Sequence, residues 1–215
     1  MIYKSATAFK VAEYLLQIKA IKLNPTSPFT WASGWKSPIY CDNRVTLSYI
    51  EVRSYIADQL AAAVTEHFGK PNVIAGVATG AIAISALVAQ KLNLPMVYVR
   101  PKPKEHGLGN QIEGELKTGQ SVVVIEDLIS TGKSSLLAVD ALRNEGSTVL
   151  GMCSIFDYGF NVASENFEKA NCDLFSLCNY ELLIEEALRH KYISPESLDK
   201  LKSWRQNPDK WNPNA

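Results

Sequence analysis

Glu126 and Asp127 stand directly after four β-branched residues, Val122-Val123-Val124-Ile125, and lead into Leu128-Ile129-Ser130-Thr131-Gly132-Lys133-Ser134. The hydroxyls and backbone amides of such a Ser/Thr/Gly loop, with the N-terminus of a following helix behind them, suit a phosphate. Two carboxylates beside the loop would repel that phosphate. They suit hydrogen bonds from hydroxyl groups, as a ribose offers, or the approach of a cation. A phosphate and a diol held together imply a ribose 5-phosphate. A turn and a helix cap would explain either feature alone, but not their combination at the end of an apolar run. Gly132-Lys133-Ser134 also ends like a nucleotide-binding P-loop. That loop needs a glycine five residues before its Gly-Lys pair, where this chain has Asp127, so the P-loop reading is rejected.

A second cluster is Arg100-Pro101-Lys102-Pro103-Lys104-Glu105-His106-Gly107. Four cationic or proton-carrying groups lie within seven residues, and Gly107, Gly109 and Gly114 flank them and permit motion. A solvated charge run is the default for such a stretch. Its place at a strand end, with Glu105 the one acid within it, favours an anion-binding role instead.

The elements that must position these groups are legible in the periodicity. Ser5 to about Ala20 reads as an amphipathic helix, and Asn24–Asn43 as irregular or edge-strand structure. Ser48-Tyr49-Ile50-Glu51 has the form of a capping box, opening a helix whose Val52, Ile56, Leu60, Val64 and Phe68 recur every four residues until Gly69 and Pro71. Short apolar runs follow at Val73–Ala78, Met96–Arg100, Ser121–Ile125 and Thr148–Phe156. Helices are expected between them, from Gly80 to about Lys91 and over Gly132–Asn144. Strands without polar alternation, separated by helices, predict a doubly wound α/β domain with a mainly parallel sheet and helices on both faces. An edge strand is expected near Asp173–Leu177, a helix near Tyr180–His190, and a last helix capped by Ser194 with Pro195 in its first position. The ligand site should lie beyond the carboxyl ends of the strands.

Composition narrows the function. The chain has 215 residues, 47% hydrophobic, and its 22 Lys+Arg balance 22 Asp+Glu. No global field draws it to nucleic acid or an anionic membrane, so an anion site must be a local cluster. No stretch approaches the roughly 18 apolar residues of a membrane span. Cys41, Cys153, Cys172 and Cys178 show neither a CxxC pair nor zinc-site spacing and are expected to be reduced thiols. The expected location is cytoplasmic, and one domain of 1–215 is expected.

Residues 122–134, VVVIEDLISTGKS, resemble the phosphoribosyl diphosphate (PRPP) motif of type I phosphoribosyltransferases. The 100–107 segment resembles the catalytic loop of the orotate phosphoribosyltransferases, and Phe29–Tyr40 is similar to their Ser-Gly-x-x-Ser-Pro region. The resemblance implies the type I fold with a small N-terminal hood over about 1–45, a PRPP-binding core over about 46–180 and a C-terminal helical tail over about 181–215. It implies PRPP contacts from Arg100, Lys104, His106, Glu126, Asp127, Leu128, Ile129, Ser130, Thr131, Gly132, Lys133 and Ser134, with Ser130 also meeting orotate. Lys104 and Asp127 would be catalytic. Mg²⁺ would be the cofactor, carried by the substrate rather than by dedicated protein ligands. A homodimer with shared active sites is implied as well. The chain departs from the pattern at Pro101, Ala32 and Ala78–Ala81, where the relatives commonly carry lysines. Lys36, Arg44 and Lys102 are the candidates to compensate, the first two also for the orotate carboxylate. Rival readings are a phosphoribosyltransferase for uracil or for a purine, the Trp31–Tyr40 segment arguing against the purine enzyme, and a non-catalytic PRPP-sensing regulator.

Overall fold

A computed structural model describes residues 1–31, 33–102 and 111–212. In chain order the elements are α1 (Ser5–Gln17), β1 (Ile21–Leu23), β2 (Phe29–Thr30), β3 (Lys36–Ser37), β4 (Ile39–Cys41), α2 (Ile50–Phe68), β5 (Val73–Val77), α3 (Ile82–Leu92), β6 (Met96–Val99) and β7 (Ile112–Glu113). They continue with β8 (Ser121–Ile129), α4 (Lys133–Asn144), β9 (Thr148–Asp157), α5 (Asn161–Lys169), β10 (Leu174–Asn179), α6 (Tyr180–Arg189) and α7 (Leu198–Gln206). The main sheet runs β10-β9-β8-β5-β6-β7, parallel throughout except for β7 at one edge.

The apolar runs form the central strands because both faces of this sheet are covered. Side chains alternate between two cores: Ile74, Val123 and Ile125 join one with α1, α2, α3, α6 and α7, while Val73, Ala75, Val122 and Val124 join another with α4 and α5. A strand buried on both faces has no polar side to write into its sequence.

Short antiparallel pairs, β1 with β4 and β2 with β3, build the hood. It is fastened to the body by aromatic rings. Trp204 of α7 is fully buried, donates its Nε1–H to the Lys36 carbonyl at 3.1 Å, and packs edge-on against Trp31 and Tyr158. Trp31 in turn donates to the Ile39 carbonyl.

Several boundaries differ from the sequence reading. Ser48 does not open α2. It ends a 3₁₀ turn over Asn43–Ser48, and Tyr49 is the N-cap with no side-chain hydrogen bond. Glu51, expected to close the capping box, accepts the Tyr14 hydroxyl of α1 at 2.7 Å instead, because a tertiary donor lies within reach. Ser194 and Pro195 open a 3₁₀ turn, Pro195–Ser197, and α7 begins only after it. The third run does not stop at Ile125: β8 continues to Ile129 because β9 goes on pairing with it through Ile129 and Asp157. The short antiparallel β7 and the polar α5, which buries only Ala163 and Phe167, had no clear periodic signal.

Candidate active site

Strand β5 pairs with β8 only as far as Gly76 and Ile125. Beyond that point β8 has lost its neighbour on one side, and Glu126, Asp127 and Leu128 line an open cleft of about 360 Å³. The other walls are Val77–Gly80, from the turn between β5 and α3, the hood residues Cys41, Asp42 and Arg44, and Ser134. The acidic pair therefore lies inside a long strand whose partner stops early, and the cleft sits at the carboxyl ends of the strands.

The two carboxylates are not equivalent. Glu126 is 5% exposed; its Oε2 accepts the Ser135 hydroxyl at 2.8 Å and its Oε1 the Asp127 backbone N–H at 3.0 Å. Burial, reinforced by the Asp127 charge, pushes the Glu126 carboxyl well above the usual carboxylate range. Asp127 is more open, and its carboxylate lies against Gly80, where an added β-carbon would overlap it. Its backbone carbonyl accepts Asn43 Nδ2–H at 2.6 Å. Asn43 is 2% exposed; its Oδ1 accepts the Cys41 thiol and its carbonyl the Thr46 hydroxyl.

The loop Ser130–Gly132 passes from β8 into α4. Gly132 is the N-cap in the left-handed region (φ 76°), and no side chain caps the helix. A side chain at this position would be strained, and its β-carbon would fall 2.7 Å from the Phe167 ring. Without an internal cap, the first-turn amides of α4 remain available to an anion. Asn166 of α5 steadies the loop by donating to the Thr131 carbonyl at 2.9 Å.

Among the expected site residues, the structure brings together Glu126, Asp127, Leu128 and Ser134 in the cleft, with Ser130, Thr131, Gly132 and Lys133 in the adjoining loop. Ile129 is fully buried in the core, so only its backbone can serve a ligand. Arg100 sits just past β6, its guanidinium 3.4 Å from Glu113 and its N–H on the Gln111 carbonyl. Lys104 and His106 lie outside the described residues, as does Ala32. Sequence reasoning missed Asn43, Ser135 and Gly80. A buried asparagine and a helical serine carry no pattern of their own, and the crowding at Gly80 comes from a strand forty-seven positions later. Of the candidate compensating cations, Arg44 lines the cleft, whereas Lys36 donates its Nζ–H to the Thr30 hydroxyl within the β2–β3 hairpin.

The Phosphoribosyl transferase domain family matches residues 48–181. Orotate phosphoribosyltransferase of Porphyromonas gingivalis is 58% identical over 201 residues, covering 94% of this chain and 96% of that one. The structure of orotate phosphoribosyltransferase from Aeropyrum pernix superposes with a TM-score of 0.75 at 29% identity, over 86% of this chain and 99% of that one. UMP synthase of Leishmania donovani aligns with a TM-score of 0.77 at 26% identity, over 92% of this chain but only 42% of its own length.

Proposed function

The chain belongs to the orotate phosphoribosyltransferases, and we propose that its cleft holds PRPP with the ribose against Asp127 and the 5-phosphate in the Ser130–Ser134 loop. The enzyme transfers the ribose 5-phosphate group from PRPP to orotate, giving orotidine 5′-monophosphate and diphosphate in pyrimidine biosynthesis. One juxtaposition carries the placement: the uncapped N-terminus of α4 lies one short loop away from the cleft carboxylate of Asp127.

Breaking the bond from C1 to the diphosphate oxygen leaves positive charge on the ribose and negative charge on the departing group. Positioning and electrostatics then supply most of the catalysis. Asp127 accepts hydrogen bonds from the ribose hydroxyls and its charge favours the cationic ring. The α4 amides and the loop hydroxyls fix the phosphate, and with it the reach of C1. Glu126, already engaged by Ser135 and the Asp127 amide, stiffens the strand that carries Asp127. Ser130 meets the orotate, and Arg100, Lys104 and His106 cover the diphosphate and exclude water that would hydrolyse PRPP.

Magnesium fits this donor set as a substrate-borne ion. Among the described residues no group of three or more His, Cys, Asp or Glu converges, and with Glu126 committed, Asp127 is the inner carboxylate left to approach it. When bound, Mg²⁺ neutralises the leaving diphosphate. The Lys104 and His106 segment serves the neighbouring subunit's site in a homodimer, in the cytoplasm. No described helix is long and apolar enough to cross a membrane.

The test is a reaction of purified protein with Mg²⁺, PRPP and orotate, followed by loss of orotate absorbance, beside reactions with uracil, hypoxanthine or xanthine. Turnover with orotate alone is expected. Turnover with a purine would discard the base assignment, and PRPP binding without turnover on any base would replace the enzyme with a binder.

A further inference from the structure

Asp42, Asn43 and Arg44 form one tight turn at the mouth of the cleft, and each side chain has a separate job. Asn43 points inward and is hydrogen-bonded to the Asp127 carbonyl, which fixes the turn relative to the ribose-binding strand. Asp42 and Arg44 line the cleft. The Asp42 Oδ1 accepts the Arg44 backbone N–H at 3.2 Å and its Nε–H at 2.7 Å, while Oδ2 accepts Nη2–H at 2.9 Å. This fork uses one edge of the guanidinium. Nη1 and the second Nη2 hydrogen are left for another acceptor, on a side chain that is 59% exposed.

Asp42 caps the 3₁₀ turn by accepting the Arg44 N–H, which explains the aspartate, but an ion pair with so exposed a guanidinium adds little to folding and does not explain the fork. Electrostatics supplies a reason. The cleft walls contribute three carboxylates, Asp42, Glu126 and Asp127, and among the described lining residues Arg44 is the one cation. A polyanionic ligand cannot approach such a wall without a fixed positive group to meet it. Arg44 shares the cleft lining with Asp127, whose charge adds to that of Asp42 in favouring the guanidinium. Lys36 is held away on Thr30.

We propose that Arg44 is a diphosphate-binding residue of this enzyme, receiving the leaving group of PRPP on the free edge of its guanidinium, with Asp42 as the positioning residue that aims it. The assignment rests on the proposed placement of PRPP. It gives the cleft a rigid cationic contact, anchored through Asn43 to the same strand that holds the ribose.

The experiment is calorimetric titration of magnesium diphosphate into protein saturated with ribose 5-phosphate, which keeps the 5-phosphate loop occupied. Arg44→Gln should weaken diphosphate about tenfold to a hundredfold, the scale of a lost charged hydrogen bond, and leave ribose 5-phosphate affinity within twofold. Arg44→Lys should fall between, since it keeps the charge and loses the fork. Asp42→Asn should weaken diphosphate several-fold without moving ribose 5-phosphate, which a purely structural Asp42 would not do. Unchanged diphosphate affinity in Arg44→Gln overturns the proposal. So does equal loss of both ligands, or a wild-type protein that takes up no diphosphate. Failure of the orotate reading shows separately, as wild-type protein that binds both ligands and turns over no orotate.

Discussion

The carboxylate of Asp127 lies against the α-carbon of Gly80, close enough that a β-carbon there would overlap it. Gly80 is needed for this approach and not for an unusual backbone angle, since it is not among the positive-φ glycines. Gly80→Ala should therefore displace Asp127 or the start of α3 by a fraction of an ångström to an ångström. Turnover is expected to drop about 100-fold, as catalytic groups misplaced on that scale do. The melting temperature should stay within a few degrees of wild type. Full activity in the variant would show that the ribose does not depend on this carboxylate.

Asn43→Ala removes the donor to the Asp127 carbonyl and leaves a small void beneath the cleft. An unmet buried acceptor costs about 1–3 kcal/mol, to be read by urea denaturation. The Michaelis constant for PRPP should rise along with it. Asn43→Asp should be worse than Ala, because it buries a carboxylate against the Asp127 carbonyl oxygen, which repels it.

Glu126 gives the protein a particular pH dependence. Its folded-state pKa is raised, chiefly by burial, above an unfolded value of about 4.3. The stability linked to its proton is fully present below that unfolded value and is lost as pH rises through the folded one. Glu126→Gln keeps an oxygen to accept the Asp127 amide and offers an N–H that the Ser135 hydroxyl can accept, but it has no proton to lose. Relative to wild type, the ligand-free variant should gain thermal stability as pH rises from 5 to 9. Parallel melting curves over that range would contradict the assignment.

Trp204 is the fully buried ring that joins α7 to the hood. Trp204→Ala should cost about 3–5 kcal/mol in denaturant unfolding. Under conditions where the variant stays folded, the Michaelis constants should rise, since Trp204 fastens the hood whose Cys41, Asp42 and Arg44 line the cleft.

Lys104 is assigned from sequence similarity. Lys104→Ala should lower turnover by about two orders of magnitude, as loss of a charge stabilising the leaving group would. PRPP affinity by direct titration should change only a few-fold. Comparable kinetics in variant and wild type would remove Lys104 from the mechanism.

The sequence by itself determined the central strands, the helices between them and the Ser/Thr/Gly loop that leads into α4. A parallel sheet buried on both faces writes continuous apolar runs, and a loop that must present amides and hydroxyls to an anion writes Ser, Thr and Gly in a short span. Family resemblance then supplied the reaction, which the close relatives bear out. Tertiary structure decided how the acidic pair divides its work. Glu126 and Asp127 are neighbours of like charge in the chain, yet Ser135 satisfies one while Gly80 and Asn43 shape the place of the other. The length of β8 was decided in the same way, because Glu126–Ile129 are strand only through their pairing with β9. So was the fate of Glu51, whose local capping pattern gave way to Tyr14. Hydrogen bonds between residues 84 positions apart, such as Asn43 with Asp127, leave no local period in the sequence. They exist only once the strands and the hood have been brought together by burial of their apolar faces.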